Sequence, residues 1–263
     1  MTQRSKKHIE YTLATHAIEN LIPSKDAVQL CAKVSDGKLS ADAAVASILK
    51  KYGLSWRFPM ADGFSRYEIY TTTGSIYCYT GTNVLRNRFG IRDVDQLKQL
   101  EADISAIRQN DLLSKPISGR FTSSHLCRIH RYLFGDLYAF AGHFRREDIM
   151  KGTTRFLGHQ NIKRQLEKIL NELHAENCLQ GIPFDQLVER SAYYFAELNF
   201  IHPFREGNGR STREFMRLLF LSCGYLVDWT AVPVQELLDA MELSVYDTSA
   251  LQGVLRDCLQ NVM

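Results

Sequence analysis

Residues 202–213 read His-Pro-Phe-Arg-Glu-Gly-Asn-Gly-Arg-Ser-Thr-Arg, which places a histidine, a carboxylate, a glycine-bearing turn and two arginines within twelve positions. These types at this spacing describe a phosphate-handling site with its own base. Gly207, Asn208 and Gly209 tolerate backbone angles closed to bulkier residues, so successive amides can converge on an anion. A helix opening at 209–210 adds free N-terminal amides and a positive dipole end. Arg210 and Arg213 lie three apart, share one face of that helix and can clamp two phosphates. Glu206 is a hard oxygen ligand positioned to hold a Mg²⁺ ion that bridges phosphate oxygens. His202, with an ordinary pKa near neutrality, can remove a proton from an attacking hydroxyl.

The run must be a loop between two helices. Residues 184–200 before it and 211–223 after it carry apolar side chains at three-and-four spacing. The same period recurs over 93–108, 123–134, 162–176 and 234–243 and in the stretch ending at Leu259, so the expected class is all-α, a helical bundle with minor strand content. Upstream, 6–20 reads as a helix, Ser24 caps a second, and Ser40 caps a third that carries Val45, Ile48, Leu49 and Tyr52. Three short helices make a small core, so they are expected to pack on the rest of the chain. Between them and the bundle, 66–79 reads as a hairpin around a Thr-rich turn ending at Gly74. The expected division is 1–53, a linker over 54–80, and 81–263.

Composition narrows the function classes. With 45% apolar residues, 263 positions can fill a core, and a net charge of +3 from 32 basic and 29 acidic residues is too weak to argue for nucleic acid or a membrane surface. No apolar run is long enough for a bilayer, and the first residues lack the apolar core of a signal peptide. The six cysteines have no close pairs, which fits reduced thiols in a cytoplasmic protein. His125 and His130 are five apart and do not share a helix face, so the histidines outside the loop are expected to be packing or surface residues.

The 202–213 run resembles the signature of Fic-domain enzymes, His-x-Phe-x-(Asp/Glu)-Gly-Asn-Gly-Arg-x-x-Arg, with every defined position filled. The resemblance implies that His202 deprotonates a target hydroxyl, Glu206 holds magnesium, the 207–209 turn cradles phosphates, and Arg210 and Arg213 bind the β and γ phosphates of ATP. Phe204 matches the motif's buried aromatic. A kinase of the same group carries Lys where this chain has Gly209, which favours nucleotidyl over phosphoryl transfer. The segment 79–91 resembles the entry to such cores, where 82–88 would begin a helix.

Residues 15–20, Thr-His-Ala-Ile-Glu-Asn, match the (Ser/Thr)-x-x-x-Glu-(Gly/Asn) inhibitory motif that accompanies many Fic proteins, and 8–53 is similar to VbhA-like antitoxin domains. Thr15 and Glu19 are four apart and share a helix face. The resemblance implies that Glu19, flanked by Asn20, pairs with Arg213 and denies it to the γ-phosphate. Residues 144–156 resemble the Fic flap, with Ile149, Met150, Lys151 and Gly152 at a hairpin that holds a target by strand addition. Basic Arg145, Arg146, Lys151 and Arg155 there either favour an acidic partner or form a charged, solvated edge.

The expected function is therefore an autoinhibited protein adenylyltransferase that moves AMP from ATP onto a Ser, Thr or Tyr hydroxyl of a target protein. Alternatives are an AMP-removing hydrolase or a transferase using another donor such as UTP. Action inside a bacterial cell is expected, and a homo-oligomer is left open.

Overall fold

The computed structural model describes residues 2–55, 75–151 and 154–262. Most of the hairpin expected over 66–79 lies outside the described residues, as does Gly152. The architecture is all-α, and among the described residues no helix is long and apolar enough to cross a membrane.

The N-terminal helices are α1 (Gln3–Ala17), α2 (Lys25–Ser35) and α3 (Ala41–Lys51). The Ser24 hydroxyl accepts from the Ala27 amide and that of Ser40 from Ala43, so both expected caps form. All three pack on α4 (Val94–Ser114), whose residues 100–112 are buried on nearly every side. The expected end of α4 at 108 falls short because Gln109, Asn110 and Asp111 break the apolar period. They stay helical by finding polar partners: Gln109 donates to Glu214 at 2.8 Å, Asn110 donates to the Cys31 carbonyl at 3.0 Å, and Asp111 accepts from Tyr132. Asp103 likewise accepts from both the amide and the hydroxyl of Ser24, tying the start of α2 to the bundle.

On the other side of α4 lies α5 (Ser123–Phe134), which packs in turn on α8 (Asn208–Ser222). Helices α6 (Ile162–Ala175) and α7 (Phe184–Ile201) pack together, α10 (Ser249–Cys258) packs on α7, and α9 (Val234–Leu243) packs on α10. The short strands β1 (Met150–Lys151) and β2 (Thr154–Arg155) pair antiparallel, Met150 opposite Arg155. A second pair, β3 (Tyr225–Val227) with β4 (Leu259–Asn261), was not expected; three-residue strands are too short to show alternation.

The helix expected over 82–88 does not form. Cys78 and Leu85 make an antiparallel bridge, the Arg86 amide donates to the Tyr77 carbonyl at 2.8 Å, and the Asn87 side chain accepts from the amides of Phe89 and Ile91. These bonds take up the backbone groups a helix would need.

Candidate active site

Helix α7 stops at His202 because Pro203 follows, and a residue before proline is pushed out of the right-handed helical region. His202 takes φ 46° and ψ 62°, an uncommon left-handed position for a side-chain-bearing residue. Its Nδ1 lies 3.1 Å from the Asn199 carbonyl, so Nδ1 carries a proton and is the donor in that bond. The ring stacks on Phe156, just beyond β2, at 3.7 Å and 15°.

Three contacts shape the loop that follows. Asn208 clasps Phe204, its Oδ1 accepting from the Phe204 amide and its Nδ2 donating to the Phe204 carbonyl, both at 2.8 Å. Phe204, 1% exposed, stacks at 3.8 Å on His130. His130 donates from Nε2 to the Glu206 carbonyl and accepts at Nδ1 from the Gly142 amide, each at 2.8 Å. Burial holds its pKa down at about 3, so it is a neutral strut. The sequence reading set His130 aside as packing, and its spacing from the motif gives no signal of this role. Asn208, expected among the nucleotide-binding residues, turns its side chain inward; its contribution to an anion is the backbone amide at the start of α8.

Gly207 has φ 75°, and a Cβ there would come within 2.3 Å of the Phe134 ring, so only glycine fits. The next residues open α8, whose first amides have no carbonyl one turn behind them within the helix. This is the free N-terminus that the sequence anticipated.

Both motif arginines are buried, and each makes three side-chain hydrogen bonds. Arg210 donates from Nη2 to Glu101 Oε1 at 2.6 Å, from Nη1 to Ser105 Oγ at 2.8 Å and from Nε to Glu19 Oε2 at 2.6 Å, and it lies 4.6 Å over the Phe134 ring. Arg213 donates from Nε to Thr15 Oγ1 at 2.7 Å and from Nη2 to the Thr15 carbonyl at 2.8 Å and Glu19 Oε1 at 2.7 Å. Glu19 thus spans both guanidiniums, where the sequence reading gave it Arg213 alone. Burial pushes the Glu19 carboxyl up, but Arg210 and Arg213 outweigh it and hold its pKa at about 2.

Glu19 lies outside the helix that was expected to carry it, two residues past the end of α1. Helix α1 ends at Ala17; the Leu21 amide reaches the His16 carbonyl at 3.1 Å and the Asn20 amide that of Ala17 at 2.9 Å, with Asn20 at φ 53°. This paired closure places a left-handed residue after the helix, which explains the Gly-or-Asn preference at the motif's last position. The closing turn carries the Glu19 carboxylate over Gly209, where a Cβ would lie 2.4 Å from Oε1.

Glu101 and Ser105, four apart on α4, are site residues that the sequence reading did not select. Tyr138 donates to the second oxygen of Glu101, and His16 Nε2 lies 3.0 Å from Ser105 Oγ. The carboxylates Glu19, Glu101 and Glu206 therefore face the cations Arg210 and Arg213. The Glu206 carboxyl is raised by loss of water in the cleft and by Glu101, against the pull of Arg210 and the Gly207 amide. A divalent cation would relieve that repulsion, and the hard oxygens of Glu206 suit one. Among the described residues no three His, Cys, Asp or Glu side chains form a ready-made metal cage. Glu206 would be the protein's ligand, with water and phosphate oxygens supplying the others, as magnesium favours.

The hairpin expected to dock a target brackets residues 152–153, which lie outside the described residues. Ile149 accepts from the Phe156 amide at 3.4 Å, Met150 is exposed, and Lys151 pairs with Thr154 in the two-stranded sheet. Of the basic residues expected on its edge, Arg146 and Arg155 are exposed but Arg145 is 2% exposed, too buried to meet a partner. Ser75, Glu147, Asp148, Ile149, Met150 and Arg205 line a groove of about 390 Å³ beside β1.

Comparison with known proteins agrees with this geometry. A family model described as the Fic/DOC family matches residues 120–220. Protein adenylyltransferase VbhT of Bartonella schoenbuchensis is 38% identical over 186 residues, 71% of this chain and 39% of that protein, so the chain spans about two fifths of that relative's length. The probable protein adenylyltransferase Fic of Salmonella typhimurium is 34% identical over 184 residues, 70% of this chain and 91% of that protein. Among solved structures, the BepC effector of Bartonella tribocorum with bound AMPPNP is 26% identical, with a TM-score of 0.66 over 70% of this chain and 96% of that one. The bundle and its loop are those of a protein nucleotidyltransferase of the Fic type. The chain belongs to the Fic/DOC family.

Proposed function

We propose that the chain moves AMP from ATP onto a Ser, Thr or Tyr hydroxyl of a target protein, and that its own residues 1–53 hold the catalytic region, 81–263, in an inhibited state. The observation that carries the second half is the Glu19 carboxylate spanning Arg210 and Arg213 above Gly209. The first half rests on the complete loop, on likeness to proteins named as adenylyltransferases, and on likeness to the BepC effector, solved with AMPPNP bound.

In this reading the first amides of α8 and the two arginines receive the triphosphate of ATP. A target segment adds to the exposed edge of the β1–β2 hairpin through main-chain bonds, which brings its hydroxyl towards His202. His202 Nε2 takes the hydroxyl proton as the oxygen bonds to the α-phosphorus; the bond from that phosphorus to the β-phosphate oxygen breaks and pyrophosphate leaves. Magnesium held by Glu206 would supply charge neutralisation on the phosphates. With Glu19 in place, Arg213 is occupied and a carboxylate fills the approach to the Gly209 amide. A γ-phosphate must then compete with a buried charge-assisted contact worth about 1.5–3 kcal/mol. A triphosphate that enters without Arg213 is set in the wrong pose for in-line attack.

The test is transfer of label from α-³²P-ATP, with a cell lysate as the target source, by the wild-type chain, Glu19→Gly and Glu19→Gly/His202→Ala. Strong labelling in the single variant, lost in the double, is expected. Equal labelling by wild type and Glu19→Gly would remove the inhibitory role, and labelling retained without His202 would remove it as the base.

A further inference from the structure

Arg145 lies outside the signature and touches none of the phosphate-binding groups, yet it is among the most buried charged residues of the chain at 2% exposed. All the hydrogen bonds its guanidinium makes go to backbone carbonyls. Nε donates to His202 at 2.8 Å and Nη2 to Ile201 at 3.2 Å; Nη1 donates to Glu147 at 2.8 Å and Nη2 also to Leu157. Its own amide donates to the Pro203 carbonyl at 2.8 Å. Asp148 lies 3.9 Å away, but its side chain is 71% exposed.

The acceptors fall into two groups. Ile201, His202 and Pro203 are the turn that carries the base, including its left-handed residue at φ 46°. Glu147 and Leu157 are the two stems of the β1–β2 hairpin, one before and one after the paired strands. The Leu157 amide adds a bond to the Phe200 carbonyl at 3.1 Å, and Phe156 stacks on the His202 ring. One buried cation is therefore the shared fastening of the element that would hold the target and the turn that holds the base.

We propose that Arg145 is a positioning residue that fixes the target-docking hairpin in register with His202. The inference rests on the reading of His202 as base and of the hairpin as target dock. A planar guanidinium with five N–H donors can serve acceptors on both segments at once, whereas a lysine ammonium is a single point with three donors and reaches one of them. Loss of the fork leaves both elements folded but lets the acceptor hydroxyl and Nε2 drift apart. An ångström-scale misplacement of that kind slows reaction by about tenfold to a hundredfold.

The experiment uses the full chain in the Glu19→Gly background, with Arg145→Lys as the main variant and Phe156→Leu as a second that loosens the same junction without disturbing the buried charge. Four quantities are read: thermal midpoint, ATP affinity by calorimetry, self-labelling rate at saturating α-³²P-ATP, and the ¹⁵N signals of the His202 ring. The expected result for both variants is a folded protein with ATP affinity within about twofold of the parent and self-labelling down by about tenfold or more. The single Nδ1-protonated pattern of His202 should give way to a mixture of tautomers. Unchanged ring signals with labelling within about threefold of the parent would overturn the proposal, as would parallel losses of midpoint, ATP affinity and rate, the signature of general destabilisation. Absence of labelling in the Glu19→Gly parent would instead count against the functional reading, and the ring signals would still decide whether Arg145 positions His202.

Discussion

Thr15 gives the sharpest test of how the N-terminal helices restrain Arg213. Two of the three bonds on that guanidinium come from Thr15, one to the hydroxyl at 2.7 Å and one to the carbonyl at 2.8 Å. Thr15→Val keeps the side-chain shape and the carbonyl bond but deletes the hydroxyl acceptor. In the docked state this strands the Nε–H of an arginine that is only 5% exposed, whereas in the released state water or a phosphate serves that N–H. Almost the whole loss, about 1.5–3 kcal/mol for a hydrogen bond to a charged group, therefore falls on the docked state. Each 1.4 kcal/mol is tenfold, so the docking equilibrium shifts by about tenfold to about 150-fold towards release. While the docked form dominates, label transfer from α-³²P-ATP rises by the same factor. Thr12 supplies the control one turn earlier on α1. It is 1% exposed and its hydroxyl has no partner among the described residues, so Thr12→Val should leave both activity and stability near wild type. If Thr15→Val lowers the thermal midpoint but leaves transfer within twofold of Thr12→Val, the Thr15 contact serves folding alone and the reasoning fails.

Other outcomes follow from the same contacts. Gly209→Ala would drive a Cβ to 2.4 Å from Glu19 Oε1 and 2.9 Å from Arg213 Nη1, so limited proteolysis should cut the N-terminal helices faster, and adding Glu19→Gly should abolish that difference. A cleavage rate unchanged by Gly209→Ala would show that Glu19 does not rest on this glycine. His16 is buried and neutral, its pKa held at about 3 by burial and by Arg210. A histidine depressed below its unfolded value of about 6.5 contributes fully above that pH, and the contribution shrinks as pH falls towards 3. The stability of wild type relative to His16→Gln should thus drop by about 1.4 kcal/mol between pH 7.5 and 5.5, measured by urea unfolding. A pH-independent difference would mean that His16 takes up a proton in the folded state. Glu19, held at about 2, stays ionised throughout that window, so mild acid should leave its contacts with the arginines unprotonated and intact.

What the sequence displayed and what it hid follow from the range of the forces involved. Helices α5, α6, α7 and α9 were legible within a residue or two because each carries an apolar stripe along its own length. The loop was legible because its chemistry is local, with a proline to end one helix and glycines to open the next. The extent of α4 was hidden, since its polar residues are accommodated by partners on α2, α5 and α8. The helix expected over 82–88 failed for a similar reason: Arg88 is drawn to the Gly135 and Leu137 carbonyls, about fifty residues away in sequence. Glu101, His130 and Arg145 act through contacts 57 to 109 residues distant, and no local period marks them.

The division of labour between the two arginines follows from who else holds them. Arg210 keeps Glu101, Ser105 and the Phe134 ring when Glu19 is taken away, and all three belong to the bundle. Among the described residues, every hydrogen bond of the Arg213 side chain ends on Thr15 or Glu19. Displacing the last turn of α1, which carries Thr15, together with the closing turn that carries Glu19 would therefore leave Arg210 organised as it stands and free Arg213 of all three bonds. On the proposed function, the brake would then act on the outer of two cation sites, while the inner one and the α8 amides remain prepared. Little reorganisation would then separate the inhibited arrangement from the active one. A core whose inner arginine collapsed on release would lose ATP affinity in Glu19→Gly, whereas an inner site held by Glu101 requires that affinity to be kept or raised.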